Sequence, residues 1–268
     1  MSESFAGYTA GDLNGQAASG AGLTGNWAGA TDFKYQETGL SLGGVTSTGG
    51  SVSVNSGGNG AQRINTAFVS TLSTGQLFGS YLFTTTISTV ARTAGAVLVG
   101  SATDSDSNAS FVWAGNGYNG GTAIEGPNIR AEGTGSVAPF ISLIGGQTYI
   151  MLFQFNGATG ENSAWVLNQS QLANFSSSLD AATLNTAEFG EGSTNVAWKG
   201  SVDGTEAGPM SNLILLGFQS TDGNFSYTWD EFRISDASLS ESLAVPESTT
   251  ALLGAISALA LFRRRRSA

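Results

Sequence analysis

The chain has 268 residues, 38 of them glycine, with 20 Asp and Glu against 10 Lys and Arg and a formal charge of −10. It contains no histidine and no cysteine, which excludes Ser-His-Asp catalysis, His- or thiolate-ligated metal centres and disulfide cross-links. Four of the cations are Arg263–Arg266 at the very end, so the rest of the chain is strongly acidic, would repel a phosphate backbone and predicts no nucleic-acid partner.

The start, Met1-Ser2-Glu3-Ser4-Phe5, is polar and shows neither the basic region nor the apolar stretch of a signal peptide. Residues 1–30 and Gly43–Gly60 are dominated by Gly, Ser and other small residues, which predicts long loops or edge strands. Weak strands follow at Ser51–Asn55 and Ile64–Val69. Stronger ones fall at Leu77–Ile87, Ala94–Ser101, Ser110–Ala114, Gln147–Phe155, Leu213–Ser220 and Phe225–Ser235. In Gln147–Phe155 the residues Tyr149, Met151, Phe153 and Phe155 share one face and Ile150 and Leu152 the other, the pattern of a strand buried between two layers. Gln169–Glu188, with Leu172, Phe175, Leu179 and Leu184 loosely periodic, reads as a loop with a helical turn. Many strands separated by Gly/Asn/Ser clusters predict an all-β fold, an antiparallel β-sandwich, over residues 1–234. The polar run Ser235–Ala244 reads as a linker.

The last segment is of a different kind. Val245-Pro246-Glu247-Ser248 precedes an apolar run from Ala251 to Phe262, and Arg263, Arg264, Arg265 and Arg266 follow. A helix over Val245–Phe262 would cover roughly 27 Å, at the short limit for a bilayer core. The arginines would act as a stop-transfer cluster on the cytoplasmic side. This order resembles the PEP-CTERM sorting tail of exported bacterial proteins, also known as the ice-binding-protein C-terminal domain. The resemblance implies recognition at Val245, Pro246 and Glu247 by an exosortase, a transient inner-membrane anchor through a C-terminal apolar helix, and final residence on the cell surface or in an extracellular matrix. It also implies an N-terminal leader ahead of the present start. Ser248 stands where that family carries its second proline.

The body carries a second resemblance. Ser4-Phe5-Ala6-Gly7-Tyr8 with Gly20–Trp27, Gly146–Phe153 with Ser163–Asn168, and Thr228-Trp229-Asp230-Glu231-Phe232-Arg233-Ile234 are similar to strands of concanavalin A-like (laminin-G-like) jelly rolls. Some members of that fold are glucanases with a Glu-x-Asp-x-(x)-Glu strand, and no such strand occurs here. A retaining glycosidase needs two carboxylates about 5 Å apart on one face, whereas Asp230 and Glu231 are adjacent and alternate strand positions face opposite ways. Asp230 reads as structural, capping a turn or pairing with Arg233, and the chain reads as non-enzymatic.

Asp104, Asp106 and Asn108 have the first spacings of a calcium loop, but Ala109 and Gly115 occupy the positions of its glycine and glutamate. No cofactor is assigned beyond the one structural calcium that the jelly-roll resemblance implies. Trp113, Asn116, Tyr118 and Asn119 combine aromatic faces with amides in one short stretch, the composition of a glycan site; Trp27 and Trp198 are further aromatic candidates. The single run Thr84-Thr85-Thr86 is no array of the kind that binds ice. The sequence thus predicts an exported, non-enzymatic surface or matrix protein, with a lectin-like module binding extracellular polysaccharide as the second reading.

Overall fold

A computed structural model describes residues 1–43, 45–56, 60–72, 75–85, 92–99, 111–119, 122–131, 143–156, 159, 161–175, 179–188, 198–203, 210–219 and 225–243. The strands in chain order begin with β1 (Ser2–Glu3), β2 (Gly11–Asp12), β3 (Leu23–Gly29), β4 (Phe33–Gln36), β5 (Ser41–Leu42) and β6 (Val45–Thr46). Next come β7 (Ser51–Ser56), β8 (Gly60–Leu72), β9 (Gln76–Thr85), β10 (Arg92–Val99), β11 (Phe111–Asn119) and β12 (Thr122–Ala131). Strands β13 (Tyr149–Asn156) and β14 (Glu161–Leu167) lead into α1 (Gln169–Asn174) and α2 (Ala181–Thr186). Strands β15 (Trp198–Asp203), β16 (Met210–Gln219) and β17 (Phe225–Ser235), then α3 (Leu239–Leu243), complete the described elements.

Among the described residues the strands form two antiparallel sheets and a small hairpin, β5–β6. The nine-stranded sheet runs β15-β14-β13-β9-β17-β7-β4-β2, with β1 beside β17; the six-stranded sheet runs β12-β11-β10-β16-β8-β3. Strand β17 therefore lies between β9, β7 and β1 although it comes last in sequence. Closing the central part of the sheet must wait for the C-terminal strand, a high-contact-order arrangement.

Strand alternation explains the layers. Tyr149, Met151, Phe153 and Phe155 of β13 enter the core between the sheets with Tyr81, Phe83, Tyr227 and Trp229, against Ile64, Leu213 and Leu215 of the six-stranded sheet. The other face of β13 places Ile150 and Leu152 in a second cluster with Leu82, Trp165 and Leu167. Leu172, Phe175, Leu179 and Leu184 from the α1–α2 segment, Leu42 and Val45 from the β5–β6 hairpin, and Leu239 cover that cluster. The β9-β13-β14 part of the nine-stranded sheet is thus buried on both faces, as the two-sided apolar pattern of Gln147–Phe155 requires.

The coverings are short elements fixed at their ends. Asn168 and Gln171 form a reciprocal capping box at α1, with Gln171 N donating to Asn168 Oδ1 at 3.0 Å and Asn168 N to Gln171 Oε1 at 2.8 Å. Asp180 accepts from Thr183 N at 2.8 Å at the start of α2. Helices of six residues are not stable alone, so packing on the sheet must hold them. The polar run from Ser235 carries α3, whose Leu239 is buried and whose Ser242 carbonyl accepts from Ser80 Oγ at 2.6 Å.

The expected C-terminal apolar helix is corrected. The last described element is α3, and no helix among the described residues is long and apolar enough to cross a membrane. Residues 244–268, with Val245, Pro246, Glu247 and Arg263–Arg266, lie outside the described residues. The physical reason is visible in the sequence: Ser248, Thr249 and Thr250 interrupt the segment after Glu247, so the apolar run is Ala251–Phe262. Its twelve residues reach about 18 Å against a core of about 30 Å. The fold class is an antiparallel β-sandwich, and the inner-membrane anchor stage is withdrawn.

Gly79 of β9 lies opposite Phe153 of β13, and a Cβ there would fall on the Phe153 ring. Gly79→Ala should destabilise the fold by about 1–3 kcal/mol through overpacking, read as a lower urea midpoint with an unchanged slope. An unchanged midpoint would show that the ring does not depend on the glycine.

Candidate functional site

Asp230 and Glu231 do not alternate as a regular strand would have them. Glu231 adopts a left-handed backbone with φ 49°, and the β17–β9 register shifts between Asp230 and Arg233. This is a bulge, one extra residue in β17. It lets Trp229, Phe232 and Ile234 all enter the inter-sheet core, where strict alternation would have sent Glu231 and Arg233. The charged residues are instead engaged by the segment that carries the β5–β6 hairpin. Leu40 N donates to Asp230 Oδ2 at 2.6 Å, and Thr48 N to Glu231 Oε1 at 2.8 Å.

Burial here is nearly complete: Asp230 0%, Glu231 2% and Arg233 5% exposed. Arg233 pairs with Glu231 Oε2 at 2.6 Å and also donates to the Leu243 carbonyl at 3.3 Å. The expected pairing of Asp230 with Arg233 is corrected: Glu231 is the partner, because the bulge brings it to the arginine. Asp230 instead accepts from Leu40 N and from Glu231 N, the latter at 2.7 Å. Burial pushes its carboxyl up to about 7, against the pull of those hydrogen bonds, with the nearby Glu231 charge a smaller cause in the same direction. Both carboxylates are committed to backbone amides and the guanidinium, and they serve structure.

A second buried carboxylate network closes the N-terminal segment. Glu3 accepts from Phe5 N and Tyr8 Oη at 2.7 Å each and from Gly20 N at 3.1 Å. Burial raises its pKa and these hydrogen bonds oppose the rise. Tyr8 Oη also accepts from Ser19 N and from Trp27 Nε1, both at 2.9 Å, and burial with the Glu3 charge pushes the phenol to about 12. Trp27 is fully buried, so this candidate aromatic is a core residue.

The other sequence candidates fall as follows. Trp113, Asn116, Tyr118 and Asn119 lie in β11, the second strand from one edge of the six-stranded sheet, and not in a loop. Strand β12 pairs with it so that Trp113 stands opposite Arg130, Gly115 opposite Asn128, Asn116 opposite Pro127 and Asn119 opposite Thr122. The register shifts between Gly117 and Asn119. Trp198 starts β15, at the edge of the other sheet. Asp104, Asp106 and Asn108 lie outside the described residues; among the described residues no group of three carboxylates could hold a metal ion.

Sequence reasoning missed one concavity. A cleft of about 600 Å³ opens where β1, the end of β8 and the β17–α3 turn meet, lined among others by Ser2, Ser70, Thr71, Leu77, Asp236 and Glu241. Ser235 Oγ donates to Glu241 at 2.8 Å within it. Its lining mixes hydroxyl and carboxylate groups with Arg233 and the apolar Met1, Leu72, Leu77 and Ile234, and no aromatic ring is among the described lining residues. These residues come from three distant stretches, and no local motif marks them.

No family model matches the chain, and no curated protein does. The PEP-CTERM resemblance therefore finds no support and is withdrawn, together with the exosortase partner and the surface destination built on it. It rested on a short, tolerant motif, and Ser248 already broke the pattern. Among solved structures the chain is similar to lectin II from Ulex europaeus, with 10% identity over 88% of this chain and 97% of that one, at a TM-score of 0.49. The Lotus tetragonolobus seed lectin gives 8% identity over 85% and 97% at 0.48. A legume lectin-like domain from Entamoeba histolytica gives 6% over 76% and 89% at 0.45. At those values the likeness assigns neither ligand nor site, and the sandwich is read from its own topology.

Glu231→Ala should cost about 3–5 kcal/mol, because it leaves the Arg233 guanidinium buried without its counter-charge. The double variant Glu231→Ala/Arg233→Met should recover a large part of that loss in urea unfolding. Strict additivity of the two single changes would show that the pair is not coupled.

Proposed function

We propose that the protein is a non-catalytic, lectin-like module that binds neutral polysaccharide along the β11–β12 ladder. The observation that carries this reading is the register of those two strands. It sets Trp113 opposite Arg130 and Gly115 opposite Asn128, about 5 Å between paired residues. Aromatic faces take the C–H faces of pyranose rings, while amide, hydroxyl and guanidinium groups take ring hydroxyls.

Two further facts support a binding role over chemistry. The buried carboxylates of β17 are committed to amides and to Arg233, and histidine and cysteine are absent from the chain. The acidic balance disfavours anionic polysaccharides, leaving neutral ones as the matching class.

Trp113→Ala should weaken binding to a neutral β-glucan or galactan at least tenfold, about 1.4 kcal/mol, in affinity electrophoresis and calorimetry. Unfolding midpoints should stay within experimental error. Affinity should hardly change between 50 mM and 500 mM salt, because no ion pairs are involved. Retention of full binding by Trp113→Ala would overturn the site, and failure of the parent protein to bind any neutral glycan would overturn the function.

A further inference from the structure

Asp230, Glu231 and Arg233 form a nearly water-free cluster of two carboxylates and one guanidinium. Glu231 and Arg233 neutralise each other at 2.6 Å, so an ionised Asp230 leaves one surplus negative charge. The cluster grips a remote segment at both ends. Asp230 takes the Leu40 amide, and its Oδ2 lies next to Gly39 and Ser47. Glu231 Oε1 takes the Thr48 amide at 2.8 Å and the Thr48 hydroxyl at 3.3 Å. Those residues flank the β5–β6 hairpin, whose Leu42 and Val45 cover the outer face of the nine-stranded sheet.

We propose that Asp230 and Glu231 act as a proton-dependent clasp on residues 38–49, closed when Asp230 carries a proton and loosened when it is ionised. The physical ground is charge balance in a dry site. With the proton present the cluster is neutral. Without it, an uncompensated charge is buried, and water reaching the site as the hairpin lifts relieves that cost.

The groups facing Asp230 do not supply the missing cation. On β17 they are Glu231 and Arg233, already paired. From β4, Tyr35 approaches as a neutral phenol, its own pKa raised by burial, then by Glu37, then by Asp230. Opposite on β9 stand Leu82 and Ser80. The 38–49 segment contains no Lys or Arg, and α3 offers the Leu243 carbonyl, which takes Arg233.

The direction in pH follows. The carboxyl sits at about 7 in the closed state against an ordinary 3.8. A raised pKa contributes stability that is complete below the ordinary value and is lost as pH rises toward the raised one. The clasp should weaken between about pH 4 and pH 7 and change little above that.

The test is hydrogen exchange of the full chain, read on the peptide covering Leu40 and Thr48 from pH 4.5 to 8.5 and corrected for intrinsic exchange. Protection should fall at least tenfold from pH 5 to pH 7 and level off above, while amides of β13 keep theirs. Asp230→Asn carries no charge at any pH but gives up one accepting oxygen, so its hairpin protection should be lower than the parent's acid-side value and should not change between pH 5 and pH 7. Uniform protection in the parent protein would overturn the clasp. So would a variant that retains the parent's pH dependence, which would move the effect to Glu3 or another acid. Should the variant fail to fold, carboxyl-carbon NMR of the parent decides: Asp230 and the Leu40 amide must titrate together near neutrality, and an Asp230 midpoint near 4 contradicts the proposal.

Discussion

The left-handed backbone at Glu231 adds one residue to β17, and that one residue reconciles two demands on the central strand. The inter-sheet core needs Trp229, Phe232 and Ile234, which stand at spacings no regular strand can send to one face. The opposite face needs polar anchors for a covering segment that forms little regular structure of its own. A non-glycine residue at positive φ costs on the order of 1 kcal/mol. The core contacts of Phe232 with Tyr81 and Phe153, at ring centroids of 6.1 and 6.2 Å, offset it.

From that bulge the rest of the nine-stranded sheet can be followed outward. Inward, Tyr227 stacks on Phe83 at 5.3 Å with the rings nearly parallel, and Trp229 meets Tyr227 at 4.7 Å and Phe33 at 5.8 Å. This aromatic seam joins side chains of β4, β17 and β9. Outward, the carboxylates hold the hairpin, and Arg233 reaches the end of α3. The chain start is tied to the same strand, since β1 pairs with β17 and the Met1 carbonyl accepts from Ile234 N at 2.9 Å. First and last described segments are thus neighbours, a topology in which local folding cannot proceed far alone.

Much of this was legible where period and composition agree. Strand β17 falls at Phe225–Ser235, where the sequence placed it, and the two faces of β13 divide as its alternation predicts. Strand β12 escaped notice because Gly126-Pro127 interrupts it, and proline in a strand is tolerated there because β12 is an edge. Helix α3 was hidden in a serine-rich run whose apolar content is Leu239, Leu243 and two alanines. The bulge left no local signal: Asp230-Glu231 reads as two alternating residues until the core's demand for Phe232 is known. The candidate glycan residues were found by composition, but their setting in a paired strand was not. The reason is that Trp113–Asn119, with two glycines and two asparagines, looks like a loop. The C-terminal segment misled for the opposite reason, since a basic cluster after a short apolar run imitates an address without the length of a span.

The proposed binding surface lies on the β11–β12 ladder, and backbone amide NMR tests it without mutation. An isotope-labelled sample would be titrated with a soluble neutral oligosaccharide. Saturable shifts concentrated in Trp113–Asn119 and Thr122–Arg130, with β13 and β17 unmoved, are the predicted result. Shifts centred instead on the cleft of Ser70, Thr71 and Asp236, or none at millimolar ligand, would contradict it.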